Sequence, residues 1–204
     1  MPKDWIVLAD GQCQVCPTPR DWDLLETPYR FHRFLTAVED VLKLAAAEDQ
    51  TDCLPDLRRL VRKLVLNSYW LRTQRPEPSP LVETAILNLY DEIGYPLTVQ
   101  IETLLPGAKS SVHNHGTWGV VAVLQGQESN QFWRREPHSD YPDAIALVEQ
   151  KILTFGDVIG FTPEAIHSIE AVGDEPLVTF NLYGETHSKH RFEFDPVARR
   201  ARNY

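Results

Sequence analysis

Alternating apolar and polar positions dominate the second half of the chain and predict β-strands. The run Leu97–Leu104 alternates, whereas Val120–Leu124 is continuously apolar, as expected for a buried strand. Short turns rich in Gly, Pro and Asp separate the other predicted strands: Glu128–Arg134, Ile145–Phe155, Asp157–Phe161, His167–Ala171 and Leu177–Tyr183. Short strands at such regular spacing predict an antiparallel sandwich or barrel.

The first part of the chain shows helical periodicity instead. Residues 1–27 are expected to be irregular, and Thr27-Pro28 resembles a helix start, with a capping hydroxyl before a proline. A second helix is predicted from Leu54-Pro55, and its basic residues are expected to form a solvated face: Arg58, Arg59, Arg62 and Lys63. A Pro-rich joint at 75–80 follows. We therefore predict a helical N-terminal extension, residues 1–80, packed on a barrel, residues 81–204.

Charge and cysteine content narrow the class of protein. The 204 residues carry a formal net charge of -9, which argues against nucleic acid or an anionic membrane as a partner. No apolar run is long enough to span a bilayer. Three cysteines, an odd number, favour a reducing compartment without a disulfide framework. The expectation is a cytoplasmic protein, monomeric or homodimeric, that acts on a small molecule.

Three histidines carry the candidate chemistry. His113 and His115 stand two residues apart beside a predicted strand, so their side chains can share one face. His167 follows a second strand-like segment. Because neutral imidazole is the commonest protein metal ligand, we predict that the three histidines bind one metal and leave one side of it open.

These residues resemble the first motif of the cupins. Five residues separate Gly107 from His113-Asn114-His115, and Gly126 stands where the motif closes. The Glu that the motif carries after the His pair is replaced by Gly119 or Val120. The resemblance covers about residues 81–195. It implies a mainly β fold, the cupin double-stranded β-helix, which is a small β-barrel.

Cupins with three histidines and no Glu resemble the thiol dioxygenases, the group around cysteine dioxygenase. Thr179–Tyr183 is similar to the strand that ends in the active-site tyrosine of that family, which implies a catalytic role for Tyr183. The resemblance further implies an Fe(II) cofactor, with Ni or Zn as other candidates. The implied reaction adds O2 to a small thiol and gives a sulfinate.

The sequence differs from that family in the residues that would bind the substrate. Its members clamp a substrate carboxylate with an Arg, yet Leu87–Pro96 contains no cation. Arg134 or Arg135 could replace the clamp from a neighbouring strand, or the substrate lacks a carboxylate, which the sequence slightly favours. Trp118, Arg134 and Asn181 are the predicted substrate contacts. Two alternatives remain open: a cupin that cleaves a β-diketone or other enolate, and a non-catalytic metal- or ligand-binding cupin.

Overall fold

A computed structural model describes residues 2–45, 50–79, 81–92 and 97–204. These residues form a mainly β fold with two sheets and a helical layer from the N-terminal part. The strands are β1 Asp4–Val7, β2 Cys13–Cys16, β3 Thr84–Asp91, β4 Leu97–Leu104, β5 Val112–Asn114, β6 Gly119–Gln125, β7 Gln127–Arg135, β8 Ile145–Thr154, β9 Val158–Phe161, β10 Ile166–Val172, β11 Leu177–Gly184, β12 Phe192–Asp195 and β13 Arg200–Asn203. The helices are α1 Asp21–Leu24, α2 Phe31–Leu44, α3 Leu54–Asn67 and α4 Tyr69–Thr73, with 3-10 turns at Gln50–Cys53 and Ser188–His190.

Strands β4 to β11 form the barrel. In one sheet the order is β9-β6-β11-β4, and in the other it is β5-β10-β7-β8. Apart from the β7–β8 hairpin, successive strands of the barrel cross between the sheets as in a jelly roll, the double-stranded β-helix predicted from the sequence. Strands β1, β2 and β3 extend the first sheet to seven strands, and β12 and β13 extend the second to six.

The two faces of the seven-stranded sheet pack against different partners. Its outer face is apolar and is covered by α2 and α3, where the ring of Phe34 meets the ring of Phe180 edge-on at 5.8 Å between centroids. Its inner face lines the barrel, whose apolar part includes Val121, Phe132 and Phe161. The hydrophobic core therefore has two layers, one under the helices and one between the sheets.

The N-terminal residues differ from the prediction. Instead of being irregular, residues 4–16 contain a β-hairpin whose first strand, β1, runs parallel to β9. Helix α3 begins at Leu54, as predicted, whereas α2 begins at Phe31, three residues after the cis Thr27-Pro28 bond. The hairpin makes part of the predicted helical extension an integral part of the barrel sheet.

Two arginines of α3 are not solvated as predicted. Arg58 and Arg62 are buried, because their guanidinium groups bind the β1–β2 hairpin. Arg62 pairs with the Asp4 carboxylate, and Arg58 donates to the Trp5 carbonyl oxygen at 2.9 Å and to the Cys16 sulfur at 2.8 Å. Buried cations need such partners, so this face of α3 is a polar contact with the sheet.

The division of the chain at residue 80 stays a prediction, and residue 80 itself lies outside the described residues. Among the described residues, no helix combines the length and apolar character needed to cross a membrane.

Candidate metal centre

The barrel brings the three predicted ligands together. His113 on β5 pairs directly with His167 on β10, so the two side chains leave neighbouring strands on the same face. His115 follows β5 by one residue. The ring centroids are 4.8 to 5.0 Å apart, and the three ligand nitrogens lie within 4.8 Å of one another. Such a triangle presents three donors to one point and leaves the opposite side open.

Hydrogen bonds fix the tautomers of two of the imidazoles. His113 Nδ1 lies 2.9 Å from the Ser111 carbonyl oxygen, which can only accept, so Nδ1 carries the proton. His167 Nδ1 lies 3.1 Å from Asn130 Oδ1. Asn130 is oriented in turn because its Nδ2 donates to Glu128 Oε1 at 2.7 Å. Both imidazoles therefore keep the Nε2 lone pair for a metal.

Burial keeps the imidazoles neutral. Desolvation lowers the pKa of His113, and it lowers the pKa values of His115 and His167 well below the ordinary value. Nε2 of His115 lies 2.8 Å from Nε2 of His167, so protonating both would place two charges in contact. The neutral form is the form that binds metals, and the donor set fits a divalent cation.

The ligand set contains no carboxylate or thiolate among the described residues. Val120 faces the helices. Gly119 faces the barrel, and a Cβ added there would lie 2.8 and 2.9 Å from two ring carbons of Tyr183. The tyrosine ring therefore fills the space that a side chain at position 119 would occupy.

Tyr183, the predicted catalytic residue, is beside the histidines. Its ring stacks on the His115 ring, with 4.6 Å between centroids and 23° between planes. Burial and the neighbouring carboxyl groups of Glu102 and Glu128 raise the pKa of the phenol. The phenol accordingly stays protonated at neutral pH and offers a hydrogen-bond donor next to the candidate metal position.

The structure distributes the predicted substrate contacts over three environments. Asn181 lies two residues before Tyr183 on the same face of β11, and its buried Nδ2 has no hydrogen-bond partner among the described residues. Trp118 is buried in the cluster beneath α2 and α3. Arg134 is about half exposed and pairs with Glu136 at 3.0 Å. Only Asn181 is brought to the same face as the histidines and Tyr183.

Arg135 does not supply the clamp either, because its guanidinium lies over the rings of Phe192 and Phe194 and 3.8 Å from Asp143. The Leu87–Pro96 segment lacks a cation by sequence, and its residues 93–96 lie outside the described part.

Sequence reasoning missed a different cation, Arg191. Its guanidinium carbon lies 4.1 Å from the ring centroid of Tyr204, and that ring stands edge-on to His113 at 6.2 Å. Burial is the main cause of the low pKa values of His113 and His115, and the charge of Arg191 lowers both further. Nothing near Arg191 in the sequence indicates this location, which arises because Glu193 on β12 pairs with His113 on β5.

Comparisons with known proteins find similar solved structures at low sequence identity. No protein-family profile matches the chain, and no curated protein matches it. Similar solved structures include a cupin superfamily protein from Desulfitobacterium hafniense, at 13% identity and a TM-score of 0.44 over 56% of this chain and 87% of that one. Another is an oxalate oxidase in complex with the substrate analogue glycolate, at 12% identity and a TM-score of 0.41 over 60% of this chain and 61% of that one.

A protein from Klebsiella pneumoniae with a double-stranded β-helix domain is also similar, at 16% identity and a TM-score of 0.42 over 55% of this chain and 80% of that one. At these values the similarities carry no information about activity. The fold assignment rests on the strand order of the chain itself, and none of these neighbours points to the thiol dioxygenases.

Proposed function

We propose that this protein is a mononuclear non-haem Fe(II) dioxygenase that adds O2 to a small thiol. The observation that carries the proposal is the triangle of three neutral imidazoles without a carboxylate, with a protonated phenol stacked beside it. The reaction converts a thiolate and O2 into a sulfinate: the O–O bond breaks, two S–O bonds form, and sulfur is oxidised while oxygen is reduced. Bound Fe(II) would supply the redox chemistry that O2 requires.

The charge of the ligand set favours an anionic substrate atom. Three imidazoles add no negative charge, so a dication at their centre would keep its full charge. A cation of this kind stabilises a thiolate over a thiol. Substrate binding would then be coupled to loss of the thiol proton.

The protein side chains would orient and polarise the bound substrate. Tyr183 can donate its phenolic proton to a hydrogen bond with O2 or a product oxygen, and its raised pKa keeps that proton on the phenol. The buried Nε of Arg191 has no hydrogen-bond partner among the described residues. It could therefore donate to an anionic second functional group of the substrate. Asn181 Nδ2 is a second donor of the same kind.

Arg191 changes the expectation about the substrate. The sequence favoured a substrate without a carboxylate because no cation was identified near the site. A guanidinium whose charge reaches His113 and His115 makes a small mercapto acid the better candidate.

Oxygen uptake tests this proposal. Iron-loaded protein should consume O2 with cysteine or 3-mercaptopropionate and yield one sulfinate per O2, and uptake with cysteamine should be weaker because it has no carboxylate. Arg191→Gln should raise KM for the mercapto acids about tenfold to a hundredfold through loss of a charged hydrogen bond. Arg134→Gln should leave KM unchanged, because Arg134 is paired with Glu136 at the surface.

Two results would contradict the proposal. Turnover of acetylacetone without turnover of any thiol would identify an enolate-cleaving enzyme. Tight metal binding without O2 uptake on any member of the panel would identify a binding protein.

A further inference from the structure

A buried polar chain runs away from the metal centre behind His167. Glu128, Asn130 and His167 are all buried, Glu128 to 1% exposure and Asn130 to 0%. Asn130 links the other two, since its Oδ1 faces His167 Nδ1 and its Nδ2 donates to the Glu128 carboxyl. Glu128 and Asn130 lie on β7, which pairs with β10, the strand that carries His167.

This hydrogen-bonded series of side chains ends in an acidic group that has no cation beside it in the described part of the protein. No Lys or Arg among the described residues pairs with Glu128. Burial raises the pKa of its carboxyl group, and the charge of another carboxyl, Glu102, raises it further. A buried carboxylate without a cation is costly. A metal cation bound by the three histidines would offset that cost. The three neutral imidazoles do not compensate the charge of such a cation, so the carboxylate and the cation would stabilise each other.

We propose that Glu128 is a positioning residue for the metal centre, which acts through Asn130 on His167 and supplies the negative charge that the ligand set lacks. The ring of Tyr183 fills the space beside Gly119, and Glu128 would supply a negative charge from the other side of His167, through Asn130. A carboxylate beside the Asn130 amide draws its Nδ2 protons and makes Oδ1 a stronger acceptor. His167 Nδ1–H is then held more firmly, and Nε2 becomes a better donor to the metal. The proposal rests on metal binding by the three histidines and is independent of the thiol as substrate.

Cobalt(II) titration tests the role of Glu128 without measuring activity. Co(II) would be titrated into metal-free protein in competition with a chromophoric chelator, and Kd compared for the parent, Glu128→Gln and Glu170→Gln. Glu128→Gln keeps the acceptor for Asn130 Nδ2 but removes the charge, so Kd should rise about tenfold or more. Glu170, on the same strand as His167 but in a partly exposed pair with Lys109, is the matched control and should leave Kd unchanged.

A double variant distinguishes charge from packing. Asn130→Asp introduced into Glu128→Gln places a carboxylate directly against His167 Nδ1, and Gln at 128 can donate to it. Loss of an outer partner of this kind lowers metal affinity by about 10- to 100-fold, so the double variant should recover most of the Co(II) affinity that Glu128→Gln loses. A role in packing alone predicts no such recovery.

Stability provides the control for folding. Burial raises the pKa of Glu128 from 4.5 to about 7. The folded metal-free protein thus binds an extra proton between these values, and the ionised carboxyl lowers its stability progressively as pH rises through that window. Glu128→Gln removes that penalty, so its metal-free melting temperature at pH 8 should equal or exceed that of the parent.

The outcomes distinguish the role of Glu128 from metal binding by the three histidines. Parent-like Kd in Glu128→Gln would overturn the role of Glu128 and leave the metal centre intact, whereas a parent that binds no Co(II) would overturn the centre itself. If Glu128→Gln does not fold, Asn130→Ser breaks the same connection while it keeps the carboxyl group, and a parent-like Kd in that variant would equally overturn the proposal.

Discussion

The two faces of β11 serve different purposes. Val178, Phe180 and Leu182 lie beneath the helices in the larger hydrophobic cluster. Thr179, Asn181 and Tyr183 alternate with them and face the barrel, where the histidines and two carboxyl groups lie. One strand of eight residues therefore borders the main hydrophobic core on one side and the candidate metal centre on the other.

This contrast separates the residues that stabilise the fold from those that perform chemistry. The outer face gains from burial of apolar area, which is insensitive to the exact polar groups on the other side. The inner face contains buried polar atoms without partners, such as Asn181 Nδ2, which cost stability and are retained where a ligand can satisfy them. Substitutions on the two faces should therefore change different measurements.

Truncation of the outer face should have the largest effect on stability. Phe180→Ala removes a fully buried ring that contacts Phe34 and should lower the free energy of unfolding by about 3–5 kcal/mol. Asn181→Ala, one residue away on the inner face, should cost less than about 1 kcal/mol because its amide donor is unpartnered. Chemical denaturation of both metal-free variants checks this, and equal losses would refute the division between faces.

A methyl group at Gly119 should have an intermediate effect. Gly119→Ala places Cβ against the ring of Tyr183, which is confined by His115, so overpacking should cost about 1–3 kcal/mol and disturb oxygen uptake. The matched control is Gly160→Ala on the outer face, where the nearest atom, at 3.3 Å, belongs to the Arg58 side chain. If the denaturation curves of the two variants coincide, the Tyr183 ring does not restrict the space at Gly119 and the prediction is wrong.

Removal of a ligand should have the smallest effect on stability and a complete effect on the metal. His115→Ala should change the free energy of unfolding of the metal-free protein by about 1 kcal/mol or less, because the apolar cores remain filled. The same variant should lose metal during dialysis, as measured by elemental analysis, whereas His32→Ala on the exposed side of α2 should retain it. Loss of cooperative unfolding in His115→Ala would instead indicate a structural metal.

The sequence predicted the elements whose signals are local. Apolar periodicity located the barrel strands within a few residues of their ends, and His-X-His spacing identified two of the three clustered histidines. The third, His167, was identified because it follows a second strand-like segment. Local patterns sufficed here because each of these signals lies within one strand and its adjoining turn.

Features made by distant pairs were not predictable in the same way. Arg62 looked like a surface residue of an amphipathic helix, and its partner Asp4 lies 58 positions away. Arg191 has no local signature, and the chain from Glu128 through Asn130 to His167 joins two strands 37 positions apart. Such contacts follow from the order of strands in the sheets, which no single segment of sequence encodes.

The order in which the chain is made has a consequence for how the centre acquires its metal. Strand β5, which carries His113, is only three residues long, and its two neighbours, β10 and β12, come from far later in the chain. Asn114 connects these parts: its Nδ2 donates to the carbonyl oxygens of Pro163 and His190, and its Oδ1 accepts from the Phe192 amide, 78 positions away. During synthesis the ligand strand therefore emerges long before anything can hold it in place. Metal capture should be among the last events of maturation, on a barrel that is otherwise already assembled.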